Sequence, residues 1–466
     1  MTRINNLTED NILKALFKLA IPIMGTSFVQ MAYNMTDLIW VGRIGSRAVA
    51  AVGTAGFYSW LAMAFVLIPK IGAEVGVAHS AGRDDIDEAK VYIKHSLQMI
   101  VLIALFYTLI LISFRKPLIG FFNLGEVDVI NDAITYLTIF SFGIIFSFIN
   151  PVFTAIFNGY GESRTPFAIN SVGLIVNMIL DPLMILGIGP FPRLEVAGAA
   201  IATVIAQATV TMIFIINAKR RPDLFSELYL LSVPDMEHIR RIVKLGLPVG
   251  VQSGFFTAIA MAMARIIAQW GSIPIAVQKI GSQIEALSWM TAGGFQTAMS
   301  AFVGQNYGAK KLDRVFRGYF TGMTIMSIIG ILTTMLLIFA ARPLFSIFVP
   351  GEEETIKYGV LYLRILGISQ LFMCIELTTA GAFNGLGNTL PPSIVGIVFN
   401  GLRIPVALFL SSTSLGLNGV WWAISISSIF KGTVLVIWYL IMLNKNPETK
   451  EIRIADLKIM GKRRGG

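Results

Sequence analysis

The stretch FNGYGESRTP at residues 157–166 decides the fold, because its pattern returns as FNGLGNTLPP at residues 383–392. The two stretches are 226 positions apart, and at the same spacing Pro22 matches Pro248 and Gly82 matches Gly308. Near the end of each half the spacing shrinks to 221, where Gly198 matches Gly419 best. The sequence therefore predicts two copies of one structural unit in the same order and orientation.

The composition predicts that both copies lie in a membrane. Of 466 residues, 55% are hydrophobic and only 14% are charged, and the mean hydropathy is +0.72. About twelve apolar runs reach the roughly 20 residues needed to cross a bilayer as a helix, and they lack the alternation of barrel strands. The predicted fold is an all-α integral membrane protein with about twelve transmembrane helices in two six-helix lobes. Repeats of this kind build transporters with a central, alternately exposed site.

The predicted domain boundaries follow the polar segments between apolar runs. The polar stretch before residue 240 contains Pro222 and Pro234 and predicts a linker. The predicted parts are an N-terminal lobe at 1–218, a cytoplasmic inter-lobe linker at 219–239, a C-terminal lobe at 240–444 and a basic cytoplasmic tail at 445–466.

The net charge of +10 is a topology signal. Most loop lysines and arginines fall in the terminal segments and in loops on one side of the membrane, so the positive-inside rule predicts cytoplasmic termini. We therefore expect a multi-pass protein of the inner (plasma) membrane, in contact with lipid but not with nucleic acid. We also expect a monomer.

Enzyme chemistry has little support in the sequence. The single cysteine, Cys374, excludes an internal disulfide and a cysteine metal cluster. No His-Glu metal motif, nucleophile elbow or phosphate-binding glycine loop occurs. The prediction is a protein that is not an enzyme and has no cofactor. A channel is disfavoured because a two-lobe repeat suits alternating access.

Two acidic residues stand out inside predicted membrane helices of the first half. Asp37 lies in the first helix, and Asp181 lies in the fifth, four positions after Asn177 and therefore on the same face. A charge near the bilayer centre costs about 3 kcal/mol, so it needs a partner, a water-filled cavity or a function. With Thr203, these side chains could form an all-oxygen pocket for a proton or a hard monovalent cation. The alternative is that Asp37 sits in a polar mouth and that Asp181 is structural beside a kink at Pro182.

The second half does not repeat these acids, since Asp37 corresponds to Met263 and Asn177 corresponds to Arg403. Its helices carry other charges, which are Arg265, Lys279, Glu285, Glu376, Arg403 and Lys431. They could form compensating ion pairs, or the surplus of bases could line a cavity for an anionic or zwitterionic substrate. The predicted cavity residues are Met31, Tyr33, Asn34, Arg265, Gln283, Glu285, Trp289 and Arg403.

The order and spacing of these motifs over roughly residues 10–445 resemble the multidrug and toxic compound extrusion (MATE) family, closest to its DinF-like prokaryotic members. The resemblance implies a secondary active antiporter that exports small organic compounds in exchange for H⁺ or Na⁺ by alternating access. It also implies an N-lobe cation network of Asp37, Asn158, Asn177, Asp181 and Thr203. Na⁺ would bind at Asp37, Asn177, Asp181 and Thr203.

One departure from the family concerns the seventh helix. The NorM-like pattern has an acidic residue where this chain has Phe256, which weakens a cation site in the C-lobe. The alternative function is a flippase of a lipid-linked precursor within the same superfamily, with Arg265, Arg403 and Lys431 as head-group contacts.

Overall fold

The computed structural model describes residues 7–122, 124–226, 230 and 232–445. This part of the chain is helical and contains no strand. The helices are α1 (Ile12–Gly42), α2 (Ser46–Gly82), α3 (Ile86–Gly120), α4 (Val127–Gly159), α5 (Arg164–Leu186), α6 (Glu195–Lys219), α7 (Pro222–Phe225), α8 (Met236–Ala268), α9 (Ser272–Gly308), α10 (Leu312–Phe339), α11 (Ala341–Ser346), α12 (Glu353–Ile368), α13 (Gln370–Gly385), α14 (Leu390–Ser411) and α15 (Leu417–Lys445).

The all-α membrane fold is confirmed, with slightly fewer apolar spans than predicted. Among the described residues, 10 helices are long and apolar enough to cross a membrane, or 11 if α12 and α13 together form one span. These two helices together occupy one of the twelve predicted apolar runs and are bent by 44° at Ser369. The remaining predicted span is α9, which has 37 residues but is not apolar enough to be counted among these helices. Its interior includes Lys279, Gln283 and Glu285.

The internal repeat is confirmed by matching helix contacts in the two halves. A Cβ atom on Gly159 would lie 2.5 Å from the carbonyl oxygen of Glu74, and one on Gly385 would lie 2.5 Å from that of Ser300. Both pairs are related by the 226-residue shift. Only glycine allows the α2–α4 and α9–α13 backbones to approach this closely, so the motif that revealed the repeat also forms a close helix crossing in each half.

The turn after each motif is built in the same way. Gly161 has a φ of 89° and Gly387 a φ of 75°, a left-handed conformation that glycine adopts without strain. The next backbone N–H closes the turn in each copy. That of Glu162 donates to the Phe157 carbonyl at 2.8 Å, and that of Asn388 donates to the Phe383 carbonyl at 3.0 Å.

The chain divides into two compact units whose borders differ from the predicted domain boundaries. One unit is Ile21–Gly250, and the other combines Met1–Ala20 with Val251–Gly466. The borders fall inside α1 and α8 rather than beside the linker at 219–239, because each of these helices begins among the helices of one unit and ends in the other unit. The predicted tail at 445–466 lies outside the described residues, apart from Lys445.

The two helix beginnings show why the borders lie there. In the second unit, Asn306 donates to the Leu7 carbonyl at 3.2 Å, and Arg314 donates to the Asp10 carbonyl at 2.6 Å. In the first unit, a Cβ on Gly246 would lie 2.0 Å from the Ile68 carbonyl oxygen, so the beginning of α8 packs tightly on α2. The predicted boundary at the 219–239 linker followed sequence polarity alone, and polarity does not show which unit the beginning of a helix packs against.

Candidate cation-binding site

Four side chains from α1, α5 and α6 converge inside the Ile21–Gly250 unit. The carboxylate of Asp37 lies beside the side chains of Asp181, Asn177 and Thr203, close enough for side-chain hydrogen bonding. Asn177 donates through Nδ2 to Oδ1 of Asp181 at 3.0 Å. Asn177 and Asp181 are completely buried. The structure therefore brings together the four residues predicted to bind Na⁺.

The helices meet at this point because small residues let their backbones approach. A Cβ on Gly143 of α4 would lie 2.2 Å from the Val204 side chain of α6, and one on Gly198 of α6 would lie 2.4 Å from the Met184 carbonyl of α5. Asp37 and Asp181 lie near the C-terminal ends of their helices, and Thr203 lies near the N-terminal end of its helix. In a bundle that runs up and down, these ends are at the same side of the membrane. α5 continues through Pro182 without a break.

Two tyrosines complete the cluster. Tyr33 on α1 was predicted to line a substrate cavity, but it is buried and its hydroxyl donates to the Thr203 carbonyl at 3.4 Å. Tyr136 on α4 is close enough to hydrogen-bond with Thr203 and lies within electrostatic range of both acids. Tyr136 was not among the predicted site residues.

The cluster contains a surplus of buried acceptors. Oδ1 of Asp37, Oδ2 of Asp181, Oδ1 of Asn177 and Oγ1 of Thr203 are buried, and none has a well-formed hydrogen bond within the described residues. Buried polar atoms are normally satisfied. An all-oxygen set with two carboxylates suits a proton or a hard cation.

Asn158, which the family resemblance added to this network, lies elsewhere in the structure. It is on α4, like Tyr136, but at the opposite end of the helix. At 1.5 Å per residue the two are about 33 Å apart along the axis. The structure therefore does not bring Asn158 to the acids; it lies beside Gly159, where α4 crosses α2.

The predicted substrate-cavity residues do not form one group. Asn34, Arg265, Gln283 and Trp289 are exposed, and Met31 is half-buried. Glu285 and Arg403 belong instead to a network of polar residues among α9, α12, α13, α14 and α15, all within the second unit. Lys279 is exposed and outside this network.

The network in the second unit balances its charges. Lys431 forms an ion pair with Glu376, with Nζ 3.1 Å from Oε1, which agrees with the alternative of compensating ion pairs for these two residues. Glu285 lies beside Tyr362 and Gln370, and Gln370 donates to its Oε2 at 3.5 Å. With two carboxylates and two bases, this region carries no surplus of positive charge.

The repeat relates individual polar residues of the two halves. Tyr136 matches Tyr362 at the 226-residue shift, and both tyrosines are buried next to acidic side chains. Asn150 matches Glu376. In the first unit Asn150 donates to Gln207 Oε1 at 2.8 Å, whereas Glu376 pairs with a lysine. The Tyr136–Tyr362 match was the sequence signal that could have identified Tyr136.

The two-lobe helical fold, with paired acids inside one lobe, defines a multi-pass membrane transporter. The MatE family model matches residues 22–183 and again 248–409, two segments related by the same 226-residue shift. The chain therefore belongs to the MatE family of multidrug efflux transporters. This assignment also confirms that it is not an enzyme.

Individual relatives agree with the family over nearly the whole chain. It is 29% identical to the probable multidrug resistance protein NorM of Thermotoga maritima, over 92% of each sequence. It is 24% identical to the probable multidrug resistance protein YoeA of Bacillus subtilis, over 89% of this chain and 90% of that one. The DinF-like subgroup stays a prediction.

Solved structures support the fold. The outward-facing conformation of a multidrug resistance MATE family transporter of the MOP superfamily matches with a TM-score of 0.86 at 23% identity. The match covers 96% of this chain and 98% of the other.

Proposed function

We propose that this protein exports small organic compounds in exchange for H⁺ or Na⁺, with the Asp37–Asp181 cluster as the coupling site. The observation that carries the proposal is the meeting of two carboxylates from different helices in a buried all-oxygen cluster. Two charges in such a place repel each other and are poorly solvated, so the cluster favours the binding of one positive ion.

The coupling step follows from this charge balance. When a proton or Na⁺ neutralises one carboxylate, α1 and α5 can pack more closely at Asp37 and Asp181. When the ion leaves, repulsion separates them again. If the two packings bind substrate with different affinity, ion binding on one side drives substrate release there, and the coupling is reciprocal.

Both coupling ions fit the oxygens present. A proton needs only one of the two carboxylates as an acceptor. Na⁺ would use Asp37, Asp181, Asn177 and Thr203 together, whose unpartnered oxygens supply a hard donor set. No cofactor enters this scheme.

The proposed setting follows the charge pattern of the loops. We place both termini in the cytoplasm of a bacterial-type plasma membrane, and we propose a monomer in contact with lipid. The coupling site then lies in the outer half of the membrane. The relatives named multidrug resistance proteins support organic compounds as cargo.

The lipid-precursor flippase is the weaker candidate. It would need bases free to bind a diphosphate, but Lys431 pairs with Glu376 and Arg403 lies within electrostatic range of two carboxylates. Of its three head-group contacts, Arg265 alone stands apart from this network.

The test is transport by purified protein in liposomes, with an H⁺ or Na⁺ gradient imposed separately. We expect Asp37→Asn to abolish gradient-driven export of organic cations, because the amide keeps the shape of the carboxylate but cannot take up the positive ion. Asp128→Asn is the matched control, since Asp128 is exposed in the first turn of α4, and it should transport like the wild type. Full gradient-driven activity in a well-folded Asp37→Asn protein would refute the assignment.

A further inference from the structure

Glu285 on α9 and Arg403 on α14 are opposite charges of the second unit that do not form an ion pair with each other. Each lies within electrostatic range of the other. Within the described residues, no carboxylate oxygen lies within the 4.0 Å ion-pair distance of the Arg403 guanidinium. Its hydrogen bonds go to neutral hydroxyls instead, through Nε to Ser427 Oγ at 2.6 Å and through Nη2 to Ser428 Oγ at 3.3 Å.

The unused hydrogen-bonding groups of this region are acceptors near Glu285 and donors at Arg403. Oε1 of Glu285 and Oε1 of Gln370 are buried acceptors without a well-formed hydrogen bond in the described part of the chain. At the other end, the guanidinium of Arg403 keeps N–H donors beyond the two that its serine partners receive. One end of the site lacks donors, and the other lacks acceptors.

The neighbouring charges differ from this pair. Glu376 and Lys431 are buried, with 7% and 8% of their surface exposed, and they form an ion pair with each other. Glu285 and Arg403 are only half-buried. Glu376 and Lys431 therefore already neutralise each other, whereas Glu285 and Arg403 are more accessible and have hydrogen-bonding groups left to bind a ligand.

We propose that Glu285 and Arg403 form a binding site for a zwitterionic solute, with its ammonium group at Glu285 and Gln370 and its carboxylate at Arg403. A carboxylate suits the planar guanidinium, which can bind it through two parallel hydrogen bonds. A primary ammonium supplies the donors that the two Oε1 atoms lack. The inference rests on the proposed export function, because it names a substrate class for the second unit.

Charge balance separates a zwitterion from the other ligand classes. A zwitterion leaves the network neutral. An anion alone would leave an excess negative charge beside Glu285, and a cation alone would leave an excess positive charge beside Arg403. In a membrane interior either excess is costly, so the site should discriminate against both.

The experiment measures binding of three matched probes to the purified full-length protein in detergent by calorimetry at neutral pH. Phenylalanine is the zwitterion, phenethylamine lacks its carboxylate, and 3-phenylpropionate lacks its ammonium. We expect phenylalanine to bind at least about tenfold more tightly than either of the others, since each lost charge-assisted contact is worth that much.

Variants then locate the site. Arg403→Lys keeps the charge but loses the paired hydrogen bonds, and Glu285→Gln removes the negative charge; each should weaken phenylalanine binding at least about tenfold. Arg364→Lys is the control, because Arg364 is an exposed arginine of α12 outside the network. If Arg403→Lys does not fold, the Ser427→Ala, Ser428→Ala double variant replaces it, since it keeps Arg403 but removes its support.

The proposal is overturned if none of the probes binds, if phenethylamine or 3-phenylpropionate binds as tightly as phenylalanine, or if Arg403→Lys keeps full affinity. Asp37→Asn separates this inference from the export function. That variant should still bind phenylalanine while losing gradient-driven transport. Binding without any gradient-driven export by the wild type would refute the export function alone, and gradient-driven export of other compounds without phenylalanine binding would refute the zwitterion site alone.

Discussion

Tyr136 and Tyr362 occupy equivalent positions in the two halves but serve different clusters. Tyr136 lies beside Thr203 and the acid pair, whereas Tyr362 lies beside Glu285. A buried phenol can donate to a carboxylate or hydroxyl at either position. Removing the hydroxyl of each tyrosine in turn therefore shows whether an effect on transport comes from losing a buried phenol or from its neighbouring acids.

At the residue scale we predict that Tyr136→Phe lowers ion-coupled transport about fivefold, because the polar contact of its hydroxyl with Thr203 is lost. Tyr362→Phe should leave the dependence on the H⁺ or Na⁺ gradient unchanged, since Tyr362 is not in contact with the acid pair. The measurement is the initial rate of export in liposomes under each gradient. Equal losses of coupling in both variants would contradict a coupling site confined to the first half.

At the scale of helices, the close contact between α8 and α2 depends on Gly246. Gly254 lies on the same helix, but a Cβ there would meet no atom within 4 Å. We predict that Gly246→Ala destabilises the protein by about 1–3 kcal/mol, because the added methyl collides with the Ile68 backbone. Gly254→Ala, the same change at an open position, should be neutral or slightly stabilising. Thermal unfolding of both variants in one detergent checks this, and equal melting temperatures would contradict the tight crossing.

The beginning of α8 is held by Asp235, which precedes its first turn. Asp235 accepts from the Glu237 N–H at 2.9 Å, and its own N–H donates to His95 Nε2 at 2.9 Å. The Glu237 N–H and the His238 side chain lower the pKa of Asp235. Because its folded-state pKa is depressed, the carboxylate contributes stability above the unfolded-state pKa of about 4. That contribution is lost as the pH falls through the folded-state pKa.

We therefore predict that hydrogen exchange in the first turn of α8 becomes faster as the pH falls below about 4, after correction for the intrinsic exchange rate. Asp235→Ala should show the faster exchange already at neutral pH, because the cap is absent. Asp313, in the first turn of α10, offers a control, since Asp313→Ala leaves this cap intact. If hydrogen exchange in the first turn of α8 is unchanged in Asp235→Ala, the prediction that the Asp235 side chain stabilises this turn is wrong.

At the scale of the whole molecule, the first residues of the chain support a turn about three hundred positions away. Leu7 and Asp10 carbonyls accept from Arg314, and the Thr8 carbonyl accepts from Lys311 at 3.0 Å. The equivalent turn after α2 has nearly the same backbone, with φ values of 59° at Asp84 and 58° at Lys310. The turn between α2 and α3 is therefore an internal reference for the turn between α9 and α10.

We predict that deleting residues 1–10 increases hydrogen exchange in the turn between α9 and α10 but not in the turn between α2 and α3. The reason is that the deletion removes the Leu7, Thr8 and Asp10 carbonyls that accept from Arg314 and Lys311 in a half-buried place, and Arg314 keeps its hydrogen bond to Asn306 Oδ1. Exchange followed by mass spectrometry compares both turns in one sample. Equal protection in the two turns after the deletion would contradict a structural role for this segment.

Much of this protein could be predicted from local patterns. Apolar runs, the 226-residue repeat and the Phe-Asn-Gly turns predicted a two-lobe helical membrane protein, because helix formation and glycine turns depend on residues close in sequence. Asp37 and Asp181 were identifiable singly, since an acid inside an apolar helix is costly wherever the helix packs.

Only the tertiary structure decided which of these residues meet. It placed Tyr33 and Tyr136 beside the acids, left Asn158 at the far end of α4, and joined Lys431 to Glu376 while keeping Arg403 from direct contact with Glu285. It also moved the borders of the compact units into α1 and α8. The physical reason is that such contacts depend on how helices distant in sequence cross and rotate. Those crossings are set by close packing at glycines such as Gly143 and Gly198, whose partners no local pattern reveals.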